Sequence, residues 1–171
     1  AHWMLRHDGF SYAIQVTTFS GVRLLHGPIA LADALQAATT LFGGAAVFIA
    51  SRWGKPDVRG AMLALSFPLI LSVMLDYDLT VCAVAIPFLW QAIRRTGALA
   101  WEKTAMVGLF ALPVVSFFIR FQLHFPADTL LLVWLMLVLL KRVKAEHEGN
   151  VVPVTASLTA SPEGIRAPSA S

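Results

Sequence analysis

Apolar residues gather in five segments along the chain, at 28–50, 61–75, 79–93, 104–119 and 127–140, separated by short polar breaks. The first is long enough to cross a bilayer as a helix. The other four, at 14 to 16 residues, fall short of the roughly 20 needed to span a hydrocarbon core of about 30 Å. Each must recruit flanking residues, tilt little or stop within the membrane. Pro56 is placed to open the second helix, because its fixed φ suits the first helical position and its missing N–H is not needed there. Arg59 would then snorkel to the interface and lengthen that span by about a turn. Pro68, Pro87 and Pro113 each interrupt a segment and leave a backbone carbonyl without its donor, which suggests kinked helices around a cavity, although ordinary kinking without function is the commoner reading. Gly43 and Gly44 in the first segment read as small-residue helix packing.

Residues 1–27 are of mixed polarity and read as an external loop. Within it Phe10, Ile14, Leu24 and Leu25 are spaced for an amphipathic helix lying on the outer surface. Residues 28–142 form the five-helix transmembrane region. Residues 143–171 pass through Glu146, His147 and Glu148 into a Ser, Thr, Ala and Pro mixture without periodicity, the pattern of a disordered cytoplasmic tail. The chain starts at Ala1 with no signal-peptide pattern, and further spans are expected to precede it.

Charge orients these segments. Arg52, Lys55, Arg59, Arg94, Arg95, Lys103, Lys141, Arg142 and Lys144 fall in alternate breaks or just after the last segment, against Arg6, Arg23 and Arg120 in the others. Basic loops resist translocation, so the first helix is expected to run from outside to inside and the tail to be cytoplasmic. Trp53, Trp90 and Trp101 cluster at the same inner ends, where interfacial aromatics belong, whereas Trp134 is mid-span and should pack against another helix. Composition agrees: 57% of residues are hydrophobic, 13% are charged and the mean hydropathy is +0.70, far from a soluble domain. The expected fold class is all-α integral membrane with about five transmembrane helices. The net charge of +3 sits in short clusters beside apolar runs rather than on one polar face, which argues against a nucleic-acid partner. Cys82 is the single cysteine and reads as a packed core thiol.

The candidate chemistry lies on the outer side. Asp76, Tyr77 and Asp78 form an acidic turn between short apolar runs. A helix starting near residue 61 would rise only about 22 Å before reaching it, which sinks the turn below the outer surface. Carboxylates at that depth normally face a cavity, whereas the plainer reading is a solvated turn or a helix cap. Arg23, Arg120 and His124 could supply cations to a phosphate-bearing substrate. Alternatively, Arg23 and Arg120 only mark the interface and Asp128 caps the last helix. Asp33 and Gln36 share a face of the first span and read as an interhelical contact. No Walker or Rossmann loop, His-Glu-x-x-His or nucleophile elbow is present, and no metal site is read.

The order Gly21-Val22-Arg23-Leu24-Leu25-His26-Gly27, residues 32–36, Leu75-Asp76-Tyr77-Asp78-Leu79 and Trp101-Glu102-Lys103 resembles the C-terminal part of glycosyltransferase family 87, over about residues 15–142. The resemblance implies a C-type glycosyltransferase fold and a polyprenyl-phosphate sugar, often mannose, used as donor substrate on the outer face of the cytoplasmic membrane. A lipid or glycan would be the acceptor, with no further cofactor. The family's expected catalytic aspartate lies in the first external loop, near the N-terminus of the full enzyme, and no part of this chain corresponds to that region; Asp8 is no substitute. The resemblance therefore implies a C-terminal module that pairs with N-terminal helices of the same protein. The competing classes are a transporter or channel segment, which kinking prolines and an acidic turn would also suit, and a non-catalytic membrane remnant.

Overall fold

A computed structural model describes residues 15–71 and 74–150. Thr17 caps a short first helix, α1 (Thr18–Leu24), by accepting from the Ser20 N–H while the Ser20 hydroxyl accepts from the Thr17 N–H. There follow α2 (Ile29–Trp53), α3 (Pro56–Ile70), a 3-10 helix (Asp76–Val84) continuing directly into α4 (Ala85–Thr96), α5 (Glu102–Leu123) and α6 (Ala127–His147). No strand occurs among the described residues; an isolated antiparallel bridge joins Gln15 to Leu75. Among the described residues two helices, α2 and α5, are long and apolar enough to cross a membrane.

Side-chain contacts fix the directions of the passes. Gln36, early in α2, meets Leu69 at the end of α3; Asp57, at the start of α3, meets Arg95 at the end of α4. Arg142, late in α6, meets Glu102 at the start of α5, and Arg120 at the end of α5 meets Asp128 at the start of α6. Consecutive long helices are therefore antiparallel, and the nine basic residues from Arg52 to Lys144 named above lie toward one end, here the basic end. Trp53 packs its ring against His147 there, with centroids 5.4 Å apart. Residues 15–24, the end of α3 and Asp76 lie at the opposite, far end.

Three expectations change. The second pass does not run from 61 to 75. It starts at Pro56, in the first helical position as expected, and stops at Ile70, two residues after Pro68. Chain ends of this kind strand several carbonyls, and here Gln36 Nε2 donates to Leu69 O at 3.2 Å and Leu71 O at 3.4 Å, joined by the Thr40 hydroxyl at 3.3 Å from Leu69 O. The third pass is longer than its apolar segment because 3-10 residues rise about 2 Å each, so Asp76 to Thr96 extends roughly 36 Å in all. Lastly, Thr18–Leu24 does not lie on a surface. Residues 18 to 21 are buried, because Phe19 N–H donates to Gln36 Oε1, the Thr18 and Thr39 hydroxyls bond at 2.9 Å, and Gly21 abuts Pro126. The remainder of the amphipathic pattern, from Phe10 to Ile14, falls outside the described residues. So does the tail beyond 150, although α6 itself continues to His147 with Val143 buried.

Polarity is inverted relative to a water-soluble bundle. Arg120 and Arg142 are 0% exposed, and Gln15, Ser20, Ser66, Glu102 and Asp128 are buried with them among leucines, alanines and methionines. Phe110 is 79% exposed, and Leu41, Phe48, Val107, Val114 and Phe118 also point outward. Cys82 is a buried member of the core, and Trp134 packs against its edge. Of the paired glycines, Gly43 lies against Ile70 and Leu69, whereas Gly44 faces open space.

Close packing of α3 on α4 gives a direct test. A Cβ at Gly60 would stand 2.7 Å from the Phe88 ring, while one at Gly44 would meet nothing within 4 Å. Gly60→Leu should lower unfolding stability in detergent by roughly 1–3 kcal/mol, and Gly44→Leu should leave it nearly unchanged. Equal melting of the two variants would contradict this packing.

Candidate functional site

Polar chemistry inside the bundle is concentrated in two clusters, one near each end. At the basic end, α6 delivers Arg142 between α4 and α5. Its Nη1 donates to both carboxylate oxygens of Glu102, at 2.7 and 2.6 Å, and reaches Gly97 O at 3.4 Å. Its Nη2 donates to Ala92 O and to the Thr96 hydroxyl, near the C-terminus of α4, and its Nε to Glu146 Oε1 at 3.2 Å. Glu146 also accepts from Arg95 at 2.8 Å, and Arg95 forks onto Asp57, with Nε–Oδ2 at 3.2 Å and Nη2–Oδ1 at 3.0 Å. A single chain of charge thus joins α3, α4, α5 and α6. Arg95 lies past the apolar segment that ends at Ile93.

At the far end, Arg120 in the last turn of α5 holds both oxygens of Asp128, in the first turn of α6, at 2.6 Å. Its other terminal nitrogen lies 3.4 Å from the Ser20 hydroxyl, which itself donates to Gln15 O at 2.7 Å. The reading of Arg120 as an interface marker and Asp128 as a helix cap is therefore corrected. Both side chains are buried and bind each other, since a charge withdrawn from water requires a partner.

The remaining site candidates do not converge on this pair. Arg23 donates to Gly27 O at 2.9 Å, closing the turn after α1. His124 is exposed at the end of α5, with a left-handed φ of 50°. Asp78 accepts from the Leu75 N–H at 3.1 Å and so opens the 3-10 helix. The side chains of Asp76 and Tyr77 lie outside the described residues, so the expected polar cavity at the acidic turn rests on Asp78, which serves there as a cap. Gln36 makes the interhelical contacts read for it. Among the described residues no three His, Cys, Asp or Glu side chains gather to hold a metal ion.

Two grooves open beside these clusters. One, of about 210 Å³, lies between α1 and the start of α6 and is lined by apolar side chains including Val22, Leu25, Phe125 and Leu130. The other, of about 360 Å³, lies at the basic end between Trp101 and the Trp134 to Lys144 face of α6.

Neither Arg142 nor Glu102 stood out in the sequence as a bonded pair, nor did Asp57, Arg95 and Glu146 as a chain. The available signal was an acid in the first turn and a base near the end of each of two consecutive helices, together with Arg142 and Glu146 four residues apart. In both clusters the carboxylates are engaged by guanidinium groups, so the clusters lock helices together rather than present a base to a substrate. Comparison with family models, with curated proteins and with solved structures gives no match.

The basic-end lock makes a quantitative prediction. Arg142→Leu leaves Glu102 buried without its partner and should cost roughly 3–5 kcal/mol of unfolding stability. The double variant Glu102→Leu, Arg142→Leu should be less damaged than the sum of the two single changes, as a double-mutant cycle in detergent would measure. Strict additivity would mean that the two side chains do not act as a pair.

Proposed function

We propose that this chain is a five-pass module of the cytoplasmic membrane, part of a glycosyltransferase that takes its sugar, a hexose such as mannose, from a polyprenyl phosphate on the outer face. The observation that carries the membrane assignment is the inverted polarity: ion pairs and amides inside, phenylalanines and leucines outside. Such a surface would aggregate in water, and in lipid it is the expected one because polar groups must be satisfied internally. Support for five crossings comes from α2, α5 and α6, each about 31–38 Å long at 1.5 Å per residue, and from the composite pass of similar length. α3, at about 22 Å, is the shorter one. The basic end then faces the cytoplasm, which puts the C-terminal end of α6 inside and Asp76 to Asp78 outside.

The glycosyltransferase assignment rests on the family resemblance carried by Leu75-Asp76-Tyr77-Asp78-Leu79 and Trp101-Glu102-Lys103. Within this reading the described residues build the support rather than the reacting centre. Asp78 caps a helix, while Glu102, Arg120 and Asp128 are locked in pairs. Arg23, which donates to Gly27 O, and His124 stand at the far end and, with the acidic turn, are the candidates for carrier or acceptor binding.

Two measurements test this. An alkaline-phosphatase-type reporter that works only outside the cytoplasm should be active when fused at Asp78 and silent after Ser161; the reverse pattern overturns the orientation. Membranes containing the full-length protein should transfer hexose from a polyprenyl-phosphate donor to a lipid or glycan acceptor. Asp78→Asn should raise the acceptor or donor concentration needed for half-saturation by several-fold while leaving the fold intact, because the Asn carbonyl oxygen still caps Leu75 N–H. Solute flux through proteoliposomes without any transfer would replace the enzyme reading with a transporter.

A further inference from the structure

We infer that the basic-end groove is a binding site for an anionic phospholipid of the cytoplasmic leaflet, with the phosphate at Lys141 and Lys144 and an acyl chain along the Trp134 to Leu140 face; this rests on the membrane reading above. On α6, Trp134, Leu137, Lys141 and Lys144 recur at intervals of three or four residues and so share one face. Together with Trp101 and Leu140 they line a groove of about 360 Å³. From Trp134 to Lys141 the helix rises about 10 Å, and to Lys144 about 15 Å. The apolar part of the groove therefore lies at hydrocarbon depth and the ammonium groups at headgroup depth. Trp101, 63% exposed, precedes α5 at the groove's rim, where an indole belongs at a lipid interface.

Charge decides the headgroup. Glu102, next to Trp101, and Glu146, two residues after Lys144, have buried side chains held by Arg142 and Arg95, so they do not neutralise the lysines. Lys144 has one weak partner, Glu148, 3.7 Å away with both side chains exposed. No ion pair forms at Lys141 among the described residues. Two ammonium groups over an apolar slot attract a phosphodiester carrying net negative charge, such as phosphatidylglycerol. A choline headgroup brings a cation of its own to the same place and is disfavoured. Basic residues next to the cytoplasmic end of a span act in this way on anionic lipids.

The test uses the full chain in nanodiscs, with Trp3, Trp53 and Trp90 replaced by phenylalanine so that Trp101 and Trp134 report. Brominated phosphatidylglycerol in a phosphatidylcholine background should quench their fluorescence with an apparent affinity roughly fivefold or more above that of brominated phosphatidylcholine. Lys141→Gln with Lys144→Gln should bring the two lipids level, and Lys141→Arg with Lys144→Arg should keep the preference. Equal quenching by both lipids in the unsubstituted-lysine protein overturns the site. So does loss of the preference on adding excess inorganic phosphate, which would mean a soluble anion site. Absence of quenching by either lipid would instead remove the membrane reading on which the site depends, and the site with it.

Discussion

Arg142 cannot leave its partners. A guanidinium that is 0% exposed has given up its hydration, a loss of several kcal/mol, and recovers it only where Glu102, Glu146, Ala92 O and Thr96 all lie within reach. These groups belong to three helices, and Glu146 extends the tie through Arg95 to Asp57 on a fourth. Sliding α6 by one turn, about 5.4 Å, would part Arg142 from Glu102, Ala92 O and Thr96, and Glu146 from Arg95, all at once. The register of α4, α5 and α6 follows from that one requirement.

The far end repeats the arrangement between α5 and α6. Each of these helices carries an acid in its first turn, Glu102 or Asp128, and a base toward its C-terminus, Arg120 or Arg142. Acids at helix N-termini and bases at C-termini also complement the helix dipoles. Antiparallel pairing then brings acid to base at both ends, with about 27 Å of α5 between Glu102 and Arg120. Parallel pairing of the same two helices would set acid beside acid and base beside base. In lipid, where apolar contacts discriminate poorly between helices, buried ion pairs of this kind supply the specificity. Polar capping extends the same logic to α3, whose stranded carbonyls find Gln36 and Thr40 in place of water.

The order of the main helices was legible because each contains an apolar segment that hydropathy detects. Their ends were less so. Hydropathy stops at a charge, but α5 continues through Arg120 to Leu123, and α6 through Arg142 and Glu146 to His147. Those charges are paired inside the bundle rather than standing at its rim, and a pair 40 residues apart such as Glu102 and Arg142 leaves no local periodicity. Conversely, the segment at 61–75 read as one run because its apolar character persists beyond Ile70, where the helix ends. The buried path of Thr18 to Gly21 was hidden by its hydroxyls, which look like surface residues until Gln15, Gln36 and Thr39 are brought beside them.

This division between locking and chemistry bears on how the motif residues are to be understood. Glu102 stands in the Trp-Glu-Lys segment and Asp78 in the acidic turn, and each is a residue type that enzymes use as acid or base. Yet Glu102 is enclosed by Arg142 and Leu99 N–H, the latter at 2.8 Å, and Asp78 is hydrogen-bonded to the backbone that starts its helix. Each fixes a helix end near the bundle's edge, where the connecting backbone would otherwise leave orphan donors. An acidic residue beside a helix N-terminus can thus mark where the helix must begin, and its chemistry is then that of a cap.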